Sequence, residues 1–278
     1  MRSVLVTGAS TGIGRATALR LDAAGWRVFA GVRRDVDADS LRGETSERLQ
    51  PLMLDIAEAG QIAAAAERID AETEGRLDGL VNNAGIGVPG PLETIPMDDF
   101  RRQVEVNLFG HVAVTKAMLP AIRGATGRIV FISSIGGRIA FPLNGSYHAA
   151  KFGIEAVGDV FRQELRPWGI SVSIVEPGSI KTPIWERSDR EVDALLERAP
   201  ATGELYAKQV AAMRLVSRKL GERGIPPDRV ALRIEHALCA DRPRPRYLVG
   251  ADAKFQARVK VILPTWAWDR IVARMIGF

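Results

Sequence analysis

The chain has 278 residues, 46% of them apolar and 26% charged, enough to bury a full core without covalent staples. Its single cysteine, Cys239, excludes an internal disulfide and suits a reducing compartment such as the cytoplasm; with only three scattered histidines (His111, His148, His236), a zinc or other metal centre is not expected. The net charge of +5 is scattered over Arg33-Arg34, Arg101-Arg102 and Arg242 to Arg246, which argues against nucleic acid and for small anionic ligands.

The chain passes straight from Met1 into an apolar run, so no signal peptide is expected, and no run is long enough to span a bilayer. Short apolar runs bounded by turns predict strands at Ser3 to Val6, Arg27 to Val32, Gln50 to Leu54, Gly79 to Val81, Arg128 to Ile132 and Ser171 to Val175. Each is followed by a turn and an amphipathic stretch, the alternation of a parallel sheet with helices on both faces. Gly14 to Ala24 predicts a helix that lays Ala16, Ala18, Leu19 and Ala23 on that sheet.

From Pro183 to Pro227 the rhythm breaks. Helical patterns at Val192 to Arg198 and Leu205 to Leu220 carry no strand between them, and such an insertion near the carboxyl ends of the strands builds a substrate cavity. Pro226-Pro227-Asp228 starts another helix, and Arg246 to Val249 reads as the last strand. The expected organisation is one doubly wound α/β domain over residues 1–278, with a substrate-loop region at about 183–227 and a helical extension at about 255–278. In that extension Val259, Ile262, Leu263, Trp266, Trp268, Ile271, Val272 and Met275 interleave with Lys and Arg. The pattern suits packing on its own or a partner subunit, and Trp beside basic residues also suits peripheral membrane contact.

Thr7-Gly8-Ala9-Ser10-Thr11-Gly12-Ile13-Gly14 follows a strand and opens a helix, the setting in which glycines let backbone approach a pyrophosphate at a helix N-terminus. The spacing is Gly-x-x-x-Gly-x-Gly. After the second strand comes Arg33-Arg34, where arginine accommodates a ribose 2′-phosphate; NADP(H) is therefore expected over NAD(H). Two solvated surface arginines are the plain alternative, and Asp35 or Asp37 would bind an unphosphorylated ribose on another loop path.

Tyr147 and Lys151 lie four apart, side by side on one helix face, and Ser134 closes the Arg128 to Ile132 strand. A tyrosine hydroxyl beside a lysine charge is a workable proton donor for a carbonyl oxygen. Ser133 is a rival for the serine role, and His148 reads as a helix-surface residue.

Thr7 to Gly14, Asn82-Asn83-Ala84-Gly85, Asn107, Ser134, Tyr147-x-x-x-Lys151 and Pro177-Gly178, in this order, resemble the successive motifs of the short-chain dehydrogenase/reductase family. The resemblance implies a Rossmann-type sheet and a homodimer or homotetramer. It implies Tyr147 as acid/base, Ser134 on the substrate oxygen, and Lys151 on the nicotinamide ribose, lowering the tyrosine pKa. Asn107 would hold the water of a proton relay. Gly8, Ser10, Thr11, Gly12, Ile13 and Gly14 would cradle the phosphates, with Ser10 near the 2′-phosphate and Arg33 beyond. Asp55 and Ile56 would meet the adenine, Asn83, Ala84 and Gly85 the adenine ribose, and Pro177, Gly178, Ile180 and Thr182 the nicotinamide side. Alone, Asn82 to Gly85 is equally a polar turn, Asn107 a helix-interior polar residue, and Asp55 a helix N-cap.

Val28-Phe29-Ala30-Gly31-Val32-Arg33 and Ser134-Ile135-Gly136-Gly137 look like the branch holding 17-beta-hydroxysteroid and retinol dehydrogenases. That branch implies a bulky apolar carbonyl or alcohol substrate, and Ile139, Phe141, Pro142, Leu143 and Trp185 would line its cleft. The alternatives are a non-catalytic NADP(H)-binding redox sensor and an epimerase or dehydratase on the same scaffold.

Overall fold

A computed structural model describes residues 1–276. It opens with β1 (Ser3–Val6), α1 (Gly12–Ala23), β2 (Arg27–Val32), α2 (Asp35–Arg42), β3 (Leu49–Met53) and α3 (Ala59–Thr73). The middle of the chain forms β4 (Gly79–Asn82), α4 (Met97–Val104), a π-turn (Glu105–Phe109), α5 (Gly110–Ala125), β5 (Arg128–Ile132) and α6 (Gly145–Glu164). After β6 (Ser171–Pro177) come α7 (Ile184–Arg198), α8 (Ala201–Arg223), α9 (Asp228–Cys239), β7 (Arg246–Val249), α10 (Ala251–Ile262) and α11 (Thr265–Ile276).

The seven strands form one parallel sheet in the order β3-β2-β1-β4-β5-β6-β7. Alternation along each strand divides the core in two. Val4, Val6, Val28, Ala30 and Val130 face α1, α2 and α9, whereas Leu5, Phe29, Leu80, Ile129 and Phe131 face α3, α5 and α6. Both faces are covered, which is why the strands read as unbroken apolar runs. The strand order reverses between β1 and β4, so their carboxyl ends open a crevice where doubly wound folds bind ligands.

The expected strands all form, with β3 starting one residue earlier than Gln50 and β4 and β6 running further, to Asn82 and Pro177. Two helical readings need correction. In α1 the buried stripe is Gly14, Thr17, Ala18 and Leu21, at helical spacing; Ala16 and Leu19 are half-buried and Ala23 is exposed. The tail is two helices, because Pro264 forces Leu263 into extended backbone (φ −81°, ψ 133°) between α10 and α11. Helix α11 packs on its own subunit through Trp268, Val272 and Ile276, in one cluster with Ile135 and Ile139, leaving its Trp266, Ile271 and Met275 exposed, as is Ile262 at the end of α10. Gly277 and Phe278 lie outside the described residues.

Candidate active site

The crevice between β1 and β4 is held open by one polar latch. Asn83 Nδ2 donates to the carbonyls of Thr7 (2.9 Å) and Gly8 (3.1 Å), and Thr7 Oγ1 accepts from the main-chain nitrogens of Asn83 (2.9 Å) and Ala84 (3.0 Å). Gly8 has φ +65°, and a Cβ there would lie 2.7 Å from Ala84 Cα; a Cβ on Gly14 would overlap Gly8 O and Asn83 Nδ2. Thr11, the N-cap of α1, makes no side-chain cap bond, so the first N–H groups of the helix face the loop. A cradle bare of side chains at Gly8, Gly12 and Gly14, beside a free helix N-terminus, fits a dinucleotide pyrophosphate. Ser10 lies half-buried in the same turn.

Beyond β2 the two arginines differ. Arg34 is tied to Asp37 by two 2.7 Å bonds, which hold the Asp37 carboxyl below its ordinary pKa. Arg33 is 59% exposed and only 3.5 Å from Asp55. Asp55 is not a helix N-cap, since α3 starts at Ala59; its Oδ1 instead accepts from Ala57 N at 3.0 Å. The Ile56 side chain is buried in the core, so only its main chain can meet a nucleotide.

Helix α6 carries Tyr147 and Lys151 toward the end of β5. Burial raises the Tyr147 pKa above 10, and the adjacent Ser134 hydroxyl opposes this. Ser134 is thereby separated from Ser133, whose buried hydroxyl turns beneath Gly137 toward Glu155. Lys151 is buried, donates to Ile132 O at 2.9 Å, and has its Nζ 5.9 Å from the Tyr147 ring centre. Burial lowers its pKa to about 8, against the pull of Glu155. The lowering of the Tyr147 pKa expected from Lys151 is not seen: burial and Ser134 govern it.

His148 is not a surface residue. It is buried, its Nδ1 donates to Gly136 O (2.8 Å) and its Nε2 accepts from Phe141 N (3.0 Å), pinning the segment after Ser134 to α6. Burial keeps it neutral by lowering its pKa, against the Gly136 carbonyl.

Asn107 sits in the π-turn with its side chain fully used: Oδ1 accepts from Ile86 N and Nδ2 donates to Ile86 O, both at 2.9 Å. A relay role is left to its main-chain carbonyl. Gln103 holds the same segment through Val88 N (2.7 Å) and Ile86 O (2.9 Å). His111 supports Ala84 O at 2.7 Å, its pKa lowered to about 3 by burial and by Lys151. Sequence reasoning missed Gln103 and His111, whose partners are distant main-chain atoms.

Pro177 ends β6, Gly178 N donates to Val249 O (2.9 Å), and Asp252 accepts from Ser179 N (2.7 Å). Thr182 lies against Gly12 in the glycine loop. The Ile180 side chain is core, and its carbonyl accepts from the Trp185 indole at 2.8 Å.

The expected apolar lining needs correction as well. Ile139 and Leu143 are core, and Trp185 packs on Gly221 to join α7 to α8. Phe141 meets Trp268 in a tilted pair with ring centres 5.8 Å apart, and Pro142 lines a groove of about 260 Å³ with Trp268, Val272 and Ala273. The α11 helix, read from sequence only as amphipathic, supplies this wall.

Beneath Lys151 lies a partly buried charge cluster gathered around the fully buried Glu176. The Glu155 and Glu176 carboxylates share Arg246 Nε, each at 3.2 Å; Arg246 also reaches Asp159 (2.7 Å), and Arg138 reaches Glu176 (2.8 Å). Burial, then the charge of Glu176, pushes the Glu155 pKa up to about 7.

The family model for short chain dehydrogenases matches residues 2–193. Retinol dehydrogenase 16 of Homo sapiens is 37% identical over 277 residues, covering 97% of this chain and 87% of that protein. The 17-beta-hydroxysteroid dehydrogenase type 6 of Bos taurus is 39% identical over 278 residues, covering 98% and 87%. A solved short-chain dehydrogenase from Streptomyces avermitilis superposes with a TM-score of 0.77 at 30% identity, over 99% of this chain and 94% of that one. One from Burkholderia cenocepacia J2315 in complex with NADP gives 0.75 at 26% identity, over 99% of each. The chain belongs to the short-chain dehydrogenase family of oxidoreductases, in the branch that holds retinol and 17-beta-hydroxysteroid dehydrogenases.

Proposed function

We propose that this enzyme interconverts an alcohol and a carbonyl with NADP(H), on a bulky apolar substrate of steroid, retinoid or lipid type. The observation that carries the reading is the meeting of Ser134, Tyr147 and Lys151 at the carboxyl ends of the strands, beside a glycine cradle. When bound, the nicotinamide supplies or accepts the hydride.

Tyr147 donates the proton to the carbonyl oxygen in reduction and takes it back in oxidation. Its raised pKa keeps the hydroxyl protonated at neutral pH, the state reduction needs. Ser134 holds the same oxygen, oriented by the bond its Oγ accepts from Gly136 N (3.0 Å). Lys151 binds the nicotinamide ribose and is cationic below about pH 8. The main-chain carbonyl of Asn107 holds the water that returns protons to it.

NADP(H) is favoured because Arg34 occupies Asp37, one of the two competing ribose acceptors, while Arg33 stands exposed. The apolar substrate class follows the named activities of the relatives and the groove between Pro142 and α11. The test is oxidation of steroid alcohols, retinol, long-chain and small secondary alcohols with NADP⁺ or NAD⁺. Turnover of one apolar class with NADP⁺, lost at least 1,000-fold in Tyr147→Phe with cofactor affinity kept, is the expected result (roughly 4 kcal/mol of barrier). Normal turnover by that variant removes Tyr147 from the mechanism.

Two surfaces extend this reading of a cytoplasmic enzyme. Exposed Phe109, Phe152 and Val160 on the π-turn and α6 would pair with a second copy. Around the turn between α10 and α11, exposed Phe255, Val261, Ile262 and Trp266 lie among Lys254, Arg258 and Arg270, a composition suited to an anionic lipid surface. Flotation with vesicles containing phosphatidylserine tests the second surface, and an unbound protein rules it out.

A further inference from the structure

Helix α7 crosses the mouth of the dinucleotide crevice. Before it, Thr182 meets the glycine loop so closely that a Cβ on Gly12 would lie 2.9 Å from its Cγ2. One turn into the helix, Ser188 presses in the same way on Gly87, after the Asn83 to Gly85 turn. Between these contacts, Arg187 Nη2 donates to Thr11 Oγ1 at 3.4 Å, reaching back from residue 187 to the N-cap of α1.

The cations around this end of the crevice are not equivalent. Arg34 is committed to Asp37 by two bonds, and Arg33 leans on Asp55. Arg187 makes no ion pair among the described residues; a long bond to a neutral hydroxyl holds it over the glycine loop. Its charge also reaches Asp37 and helps lower that carboxyl's pKa. The guanidinium thus stands between the uncapped start of α1 and the Arg33–Asp37 corner, with only one of its donors engaged, in the bond to Thr11.

We propose that Arg187 is a phosphate ligand for the bound dinucleotide, so that the cofactor ties the substrate-loop helix α7 to the glycine loop. The inference rests on the dinucleotide reading above and adds to it a residue from outside the nucleotide-binding half of the sheet. A phosphate replaces the Thr11 hydroxyl as partner of Arg187, and the charged pair so formed holds α7 on the crevice more firmly than the single 3.4 Å bond to a neutral hydroxyl does.

The experiment is calorimetric titration of NADP⁺, NAD⁺ and 2′,5′-ADP into the whole protein and into Arg187→Ala and Arg187→Lys, with hydrogen exchange of residues 184–198 followed with and without NADP⁺. Loss of one charge-assisted pair predicts roughly 10-fold weaker NADP⁺ binding for Arg187→Ala, partly restored in Arg187→Lys. Equal weakening for NAD⁺ assigns the contact to the pyrophosphate; weakening confined to NADP⁺ and 2′,5′-ADP assigns it to the 2′-phosphate. Nucleotide protection of 184–198 is expected in the parent and lost in Arg187→Ala. If the parent binds NADP⁺ but the variant matches it in affinity and protection, the proposal is overturned and the cofactor reading stands. If the parent binds neither nucleotide, both fall together.

Discussion

Replacing Glu155 by Gln should stabilise the protein at pH 8 and leave it unchanged near pH 4.5. Glu155, its side chain 12% exposed, lies beside the buried Glu176 on β6, with Arg246 of β7 the cation between them, Asp159 and Lys151 on its own helix, and Arg138 on the far side of Glu176. The carboxyl ordinarily ionises at 4.5, and here it is pushed up to about 7. Between those values the folded protein holds a proton that the unfolded chain has released. Stability is therefore fully present below 4.5 and is lost as pH rises through 7. The shift is worth roughly 3 kcal/mol. Gln keeps the neutral form at every pH, so its advantage grows from nothing at pH 4.5 to that amount at pH 8. For a chain of this size this is roughly 5–8 °C in Tm. Scanning calorimetry of both proteins at intervals from pH 4.5 to 8 reads it directly. A Tm difference that does not change with pH, or a Gln protein less stable at pH 8, would refute the burial argument. The same variant removes the carboxylate that supports the Lys151 charge, so the alkaline limb of its activity should move to lower pH.

Ser134→Ala should lower kcat by roughly 100-fold with little change in cofactor affinity, since its hydroxyl faces Tyr147. Ser133→Ala should leave kcat within a few-fold, because that hydroxyl turns away toward Glu155; steady-state kinetics giving the opposite ranking would exchange the two roles. Gly14→Ala should cost about 1–3 kcal/mol and weaken NADP⁺ binding by about tenfold or more, because the new Cβ displaces Gly8 O and the Asn83 amide that latches the crevice. Unchanged Tm and affinity would show that this loop is not the rigid cradle described.

What was legible in the sequence was whatever repeats locally. Val4 to Val6, Val28 to Val32 and Ile129 to Ile132 are buried on both faces, so composition alone marks them as strands. Tyr147 and Lys151 are legible because one helical turn joins them. The face of α1 was misread because Ala16 and Ala23 are as apolar as Ala18; the sheet, and not composition, selects the stripe through Leu21. His148 was misread for a related reason. A histidine on an amphipathic helix reads as exposed, and only the close return of the Gly136 to Phe141 segment gives its two nitrogens their partners.

Residues that serve distant main chain leave no local pattern. Gln103, near the end of α4, and Asn107, in the π-turn that follows, are both buried, and both hold the Ile86 to Val88 segment that follows β4. Nothing between positions 86 and 107 announces this pairing. Glu155 is the instructive case, because half of its setting was within reach: the spacing that sets Lys151 beside Tyr147 also sets Glu155 one turn beyond Lys151. The other half comes from the order β5-β6-β7, which brings Glu176 and Arg246 under α6 from across the sheet. Local spacing therefore locates Tyr147 and Lys151, while sheet topology supplies the partly buried charges that face Lys151. A sequence pattern can name the residues of this site, but the pH at which they work is set by strands that close the fold later in the chain, β7 bringing Arg246 from 91 residues beyond Glu155.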